Sequence, residues 1–125
     1  MNGIDFLADT NILLYVHEGN PSVEPFLNFS IATSFVTEIE LLGWYKISES
    51  DKKSLRLLLD DCTIMELTPE IKNLAIEIKQ RNKIKLPDAL IASTAITLQI
   101  PLVTADQDFK KVNGLEIIWV DPANP

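Results

Sequence analysis

Five short apolar runs, at residues 4–8, 31–35, 62–67, 102–104 and 116–120, constrain this chain most, because stretches with helical spacing separate them. The runs are brief and partly β-branched, as strands buried on both faces tend to be. Between them, Ile12, Leu13, Tyr15 and Val16 suit a first helix and residues 36–45 a second. Leu55, Leu57, Leu58 and Leu59 suit a third, Ile71, Leu74, Ala75 and Ile78 a fourth, and residues 89–98 a fifth, with a shorter piece at 23–27. Strands alternating with helices require crossover connections. The expected fold is therefore α/β, a three-layer α/β/α sandwich around a mainly parallel central sheet. Gly19-Asn20-Pro21, Thr68-Pro69-Glu70 and Asn113-Gly114 punctuate the pattern at the expected boundaries.

At 125 residues and 46% hydrophobic content, the chain suits one well-filled core, and a single domain over 1–125 is expected, ending in a loose tail at 121–125. No apolar run approaches the roughly 18 residues of a membrane span, and no signal-peptide pattern opens the chain. A soluble, cytoplasmic protein without membrane contact is expected. Cys62 is the one cysteine, which excludes an intramolecular disulfide and a thiolate zinc site. Its apolar neighbours Ile64 and Leu67 suggest ordinary burial.

The formal net charge of -7 argues against a protein that coats nucleic acid non-specifically. A nuclease would have to use local charge. Lys72, Lys79, Arg81, Lys83 and Lys85 fall in one segment, Lys52, Lys53 and Arg56 in another, and Lys110 with Lys111 near the end. Taken singly, each reads as part of a solvated helix face.

Four carboxylates carry the functional argument: Asp9, Glu40, Asp88 and Asp106, each at a junction between an apolar run and a helix or turn signal. Asp9 and Asp106 follow strands, whereas Glu40 and Asp88 lie near helix starts. In an open α/β sheet, functional groups gather outside the carboxyl ends of strands, so all four can reach one crevice. Two ionised acids about 4 Å apart repel by roughly 4 kcal/mol at an effective dielectric near 20, so such a cluster must take up protons or bind a cation. Oxygen ligands select Mg²⁺ or Mn²⁺ over zinc, and phosphodiester hydrolysis suits these cations. His17, the only histidine, lies outside the acid motifs and reads as structural or surface, so mechanisms based on histidine lack their base.

Each acid also has a plain structural reading. Asp9 can cap a helix, Glu40 can be a solvated helix residue, Asp88 after Pro87 at the first helical position can complement a helix dipole, and Asp106 and Asp108 can form a turn. Glu38 is a weaker candidate than Glu40. What outweighs four separate caps and turns is joint occurrence. D-T-N at 9–11, T-E-x-E-L-L at 37–42, L-P-D-A-L-I-A at 86–92 and T-x-D-x-D-F at 104–109 follow one another within this length.

Over nearly the whole chain this pattern resembles the PIN-domain ribonucleases, and most of all the small VapC-like toxins of toxin–antitoxin pairs. The resemblance implies that Asp9, Glu40, Asp88 and Asp106 form the acidic, metal-binding and catalytic quartet, with Asn11 and Thr104 in support. It leaves open whether Asp106 or Asp108 faces the site. It further implies an Mg²⁺- or Mn²⁺-dependent endoribonuclease acting on single-stranded or tRNA-like RNA by water attack, leaving 5′-phosphate and 3′-hydroxyl ends. A cognate antitoxin and a homodimer are also implied, and Trp44, Tyr45 and Phe26 are offered for such contacts or for plain core.

Three other readings remain. A phosphatase or phosphotransferase using Asp9 as nucleophile fits less well, because Asn11 stands where a second acid is expected. A receiver domain lacks its adjacent acidic pair. The alternative in a different class is a non-catalytic PIN-like module that binds RNA or protein.

Overall fold

The computed structural model describes residues 3–123. Five strands form one sheet among these residues: β1 (Phe6–Ala8), β2 (Ile31–Ser34), β3 (Thr63–Met65), β4 (Leu102–Thr104) and β5 (Ile117–Trp119). Their spatial order is β3-β2-β1-β4-β5, and every pairing is parallel. The helices are α1 (Thr10–Glu18), α2 (Phe35–Leu42), α3 (Glu49–Asp60), α4 (Pro69–Arg81) and α5 (Leu86–Leu98), with 3₁₀ turns at Pro21–Phe26 and Gln107–Lys111.

The alternation of side chains along each strand divides the core in two. Leu7, Ala32 and Leu102 face one way, packing with Ile78 of α4, Ile91 of α5 and Phe109. Phe6, Ala8 and Val103 face the other, packing with Leu13 of α1, Leu41 of α2 and Leu59 of α3. Burial on both faces is why the strands read as continuous apolar runs. The three-layer α/β/α arrangement expected from the sequence is the one observed.

Strand order places the site. The chain leaves β1 toward β2 and β3 on one side, then returns to add β4 and β5 on the other. The connections thus diverge between β1 and β4, opening a crevice outside their carboxyl ends.

Local punctuation explains where elements stop. Gly19 ends α1 in the left-handed region, at φ 74°, and its N–H donates to the carbonyls of Tyr15 and Val16. Gly43 ends α2, so that helix stops short of the expected 45 and leaves Trp44 and Tyr45 exposed. The helix expected at 89–98 begins earlier, at Leu86, putting Pro87 in the second helical position rather than the first. The 3₁₀ turn after β4 was not legible as a helix, since five residues are too few for a periodic pattern. Of the expected tail, residues 124 and 125 lie outside the described residues.

α5 is apolar almost all round, burying Ala89, Ile91, Ala92, Ser93, Thr94 and Ala95 between α4 and the sheet. Its small side chains allow the close approach, and the Ser93 hydroxyl donates to the Ile71 carbonyl of α4 at 2.6 Å. Ala92 is fully buried. Ala92→Leu should overpack this contact and cost about 1–3 kcal/mol, read as a lowered urea midpoint. An unchanged midpoint would show that the α5 seat has slack.

Candidate active site

Asp9 follows β1 directly and is 4% exposed. Its extended backbone makes it the N-cap of α1, with one carboxylate oxygen accepting the Ile12 N–H at 2.9 Å. The other oxygen, Oδ2, accepts the Thr104 hydroxyl. Capping does not exhaust the group, since the two oxygens offer about four acceptor sites and these bonds take one on each.

Thr104, fully buried at the end of β4, is the hinge of the arrangement. While donating to Asp9, its hydroxyl oxygen accepts the Asp106 N–H at 3.0 Å. Asp106 in turn caps the 3₁₀ turn Gln107–Lys111, its Oδ1 accepting the Asp108 N–H at 2.9 Å. One hydroxyl therefore fixes a strand-end acid of β1 against the acid-bearing turn after β4.

Glu40 arrives from α2, held by the Thr10 hydroxyl at 2.6 Å, and Thr10 also lies 3.1 Å from the Thr37 hydroxyl. The roles of Thr10 and Thr37 escaped the sequence reading, although both lie inside the motifs that hold the acids. Glu38 is directed elsewhere, to a 2.8 Å ion pair with Arg56. Asn11 is exposed on the first turn of α1, and among the described residues its side chain makes no hydrogen bond.

Asp88 enters from the first turn of α5, half-buried, and carboxylate oxygens of Asp88, Asp106 and Asp108 all lie within 4.8 Å of one another. Asp106 and Asp108 therefore both approach Asp88. Only Asp106, however, is among the charges that act on Asp9 as well.

Electrostatics tie the quartet together. Burial pushes Asp9 above the ordinary carboxylate range; the hydrogen bonds from Thr104 and Ile12 oppose this, and the charges of Asp106 and Glu40 add to it. Asp88 is pushed up to about 6, first by burial, then by Asp106, Glu40 and Asp9, with Lys85 pulling the other way. Such mutual repulsion is the signature of carboxylates that share one space.

The cluster's chemistry suits a hard cation. On one octahedral Mg²⁺ at about 2.1 Å, ligand oxygens stand roughly 3–4.2 Å apart, so acids already within 4.8 Å need only a small closure. His17 stands apart, 3.7 Å from Asp51, on a groove of about 570 Å³ that Thr10 and Glu40 also line. Cys62 is half-buried, its thiol pushed up to about 11 by burial and then by Asp61, and donating to the Leu58 carbonyl, which leaves it unreactive.

Comparison with known proteins identifies the family. The PIN domain family profile matches residues 6–115. The chain belongs to the PIN domain family. It is 30% identical to a protein named ribonuclease VapC from Rickettsia bellii, the match covering 91% of this chain and 95% of that one. Among solved structures, VapBC2 of Rickettsia felis bound to a promoter DNA fragment is similar, with a TM-score of 0.83 and 25% identity over 94% of this chain and all of that one. A toxin–antitoxin complex from Klebsiella pneumoniae gives 0.79 and 27%, covering 94% and 98%.

The raised affinity of Asp88 for a proton has a stability consequence. The native state holds this proton more tightly than the unfolded chain, whose aspartates titrate near pH 3.9, so stability falls as pH rises through about 6. In chelator, Asp88→Asn should therefore melt a few degrees above wild type at pH 7–8, with the gap closing toward about pH 4. A gap that stays constant with pH, or reverses, would contradict the coupling.

Proposed function

We propose that this PIN-domain protein, acting as a single domain over 1–125, is an Mg²⁺- or Mn²⁺-dependent endoribonuclease and the toxin of a toxin–antitoxin pair. The observation that carries the reading is the crowding of carboxylates at the β1–β4 crevice, where those of Asp88, Asp106 and Asp108 lie within 4.8 Å of one another and the charges of Asp106 and Glu40 bear on both Asp9 and Asp88. Among the described residues none of Asp9, Glu40, Asp88 and Asp106 forms an ion pair with lysine or arginine, and only Lys85 opposes the shift of Asp88, so the crowding suits a cation better than a structural role. The similarity to a protein named ribonuclease VapC supports RNA as substrate.

In this reading Asp9, Glu40, Asp88 and Asp106 hold the cation, with Asp108, whose carboxylate lies within 4.8 Å of those of Asp88 and Asp106, beside them. When bound, the cation polarises a phosphate and lowers the pKa of an attacking water. The protein's own groups do the positioning. Thr104 keeps Asp9 and Asp106 at fixed separation through its two hydrogen bonds, and Thr10 keeps Glu40 turned inward. Asp88, pushed up to about 6, is largely ionised at neutral pH, and protons would compete with the cation for it only as the pH falls toward 6. The reaction adds water across a phosphodiester and leaves a 5′-phosphate and a 3′-hydroxyl.

The partner reading has its own support. The groove that begins at Thr10 and Glu40 runs along Leu14, Leu41, Trp44, Ile47 and Leu55, an apolar trough suited to a segment of an antitoxin. Trp44 and Tyr45 are exposed, 53% and 84%, whereas Phe26 is half-buried against Phe6 and belongs with the core. A homodimer and a cytoplasmic site of action complete the proposal. Among the described residues, no helix is long and apolar enough to cross a membrane.

Purified protein should cleave single-stranded RNA in Mg²⁺ or Mn²⁺, stop in EDTA, and respond poorly to Zn²⁺. Asp9→Asn and Asp88→Asn should each lose at least about 100-fold in rate while retaining the circular dichroism of the wild type. Near wild-type cleavage by either variant, or full activity in excess chelator, would reject the assignment and favour a binding module.

A further inference from the structure

β5 ends in Trp119, and its position follows from strand register. Thr104 of β4 pairs with Trp119, and in a parallel ladder paired residues project from the same face. Asp9 stands one residue past the Ala8–Val103 pair, on the rung of Thr104, where the two side chains hydrogen-bond. Asp9, Thr104 and Trp119 thus form one row across the carboxyl end of the sheet. At a strand spacing of about 4.8 Å, the Trp119 backbone lies about 10 Å from that of Asp9.

Trp119 is not spent on the core. Ile117 and Ile118 before it pack on the two faces of the sheet, and Val120 after it is buried, while Trp119 itself is 39% exposed. The Lys110 ammonium stands 5.6 Å from its ring centroid, at the outer limit of a cation–π contact, so it is available to another anion. Among the described residues no carboxylate forms an ion pair with Lys110. In a chain of net charge -7, an exposed indole beside an unneutralised ammonium, one strand from Thr104, is a local exception to the acidic surface.

We propose that Trp119 and Lys110 form a nucleotide platform on the β5 side of the acid cluster. A base of the single-stranded RNA stacks on the indole, and a neighbouring phosphate takes the Lys110 ammonium. The platform rests on the nuclease reading and adds to it the direction in which substrate leaves the site, over β4 and β5. Stacking on an aromatic face accepts any base, so the platform contributes affinity and register rather than sequence choice.

The protein has two tryptophans, so Trp44→Phe leaves Trp119 as sole reporter. In that background, with Asp9→Asn to prevent cleavage, a short single-stranded oligoadenylate should quench the Trp119 emission saturably. In the otherwise wild-type chain, Trp119→Ala should raise KM for RNA cleavage by roughly 5- to 100-fold with a much smaller change in kcat, and Trp119→Phe should recover most of the loss. Lys110→Gln should weaken binding and flatten its salt dependence. Emission unaffected by saturating oligonucleotide, or Trp119→Ala cleaving with a wild-type KM, would overturn the platform while leaving the nuclease intact. Wild-type protein that neither binds nor cuts RNA would overturn both.

Discussion

The structure depends on a carboxylate buried at the end of the central strand. Removing Asp9 from water penalises its charge, and nearby Asp106 and Glu40 add to the penalty. Two hydrogen bonds, from the Ile12 N–H and the Thr104 hydroxyl, offset part of it. Among the described residues, no lysine or arginine is one of the groups acting on Asp9. A group kept in such a place is costly to the fold, and the cost becomes intelligible if a divalent ion neutralises the cluster in the working state.

The rest of the architecture can be understood as the means of keeping that crowding in register. Strand order opens the crevice between β1 and β4, and the Thr104 hydroxyl fastens the two strand ends together. α5, packed tightly through small side chains, delivers Asp88 from one face of the sheet. α2 delivers Glu40 from the other, steadied by Thr10. Acids from both layers thus meet at the sheet's carboxyl edge, and the same edge continues through the row of paired residues to Trp119.

Much of this was legible in the sequence, for identifiable reasons. Burial on both faces made the strands continuous apolar runs, and strand–helix alternation then dictated a parallel sheet. The expected runs were wider than the strands: 4–8 became Phe6–Ala8, and Phe35 passed from strand to helix because Ser34 caps α2. Apolar content marks burial, and burial extends past the last ladder hydrogen bond. Asp9 and Asp106 were legible because each follows a strand and caps the helix or turn after it, whereas Glu40, expected near a helix start, lies late in α2, and Asp88 sits in the first turn of α5 with no side-chain cap bond. Which acid of the last motif approaches Asp9 was not legible, since Asp106 and Asp108 differ by a turn that only the 3₁₀ geometry resolves. The Thr10–Glu40 contact was hidden for a related reason: it joins two helices 30 residues apart, and no local pattern records it.

The central claim is that Asp9 and Asp106 share one divalent cation with their neighbours, and the change in melting temperature on adding Mn²⁺ tests it directly. Because an ion that binds only the native state stabilises by mass action, wild type should gain with rising Mn²⁺. Without metal, Asp9→Asn and Asp106→Asn should be as stable as wild type or more so, having lost a repulsive charge, and each should gain less from Mn²⁺. Equal Mn²⁺ stabilisation of wild type and both variants would contradict the account and leave these residues as separate caps.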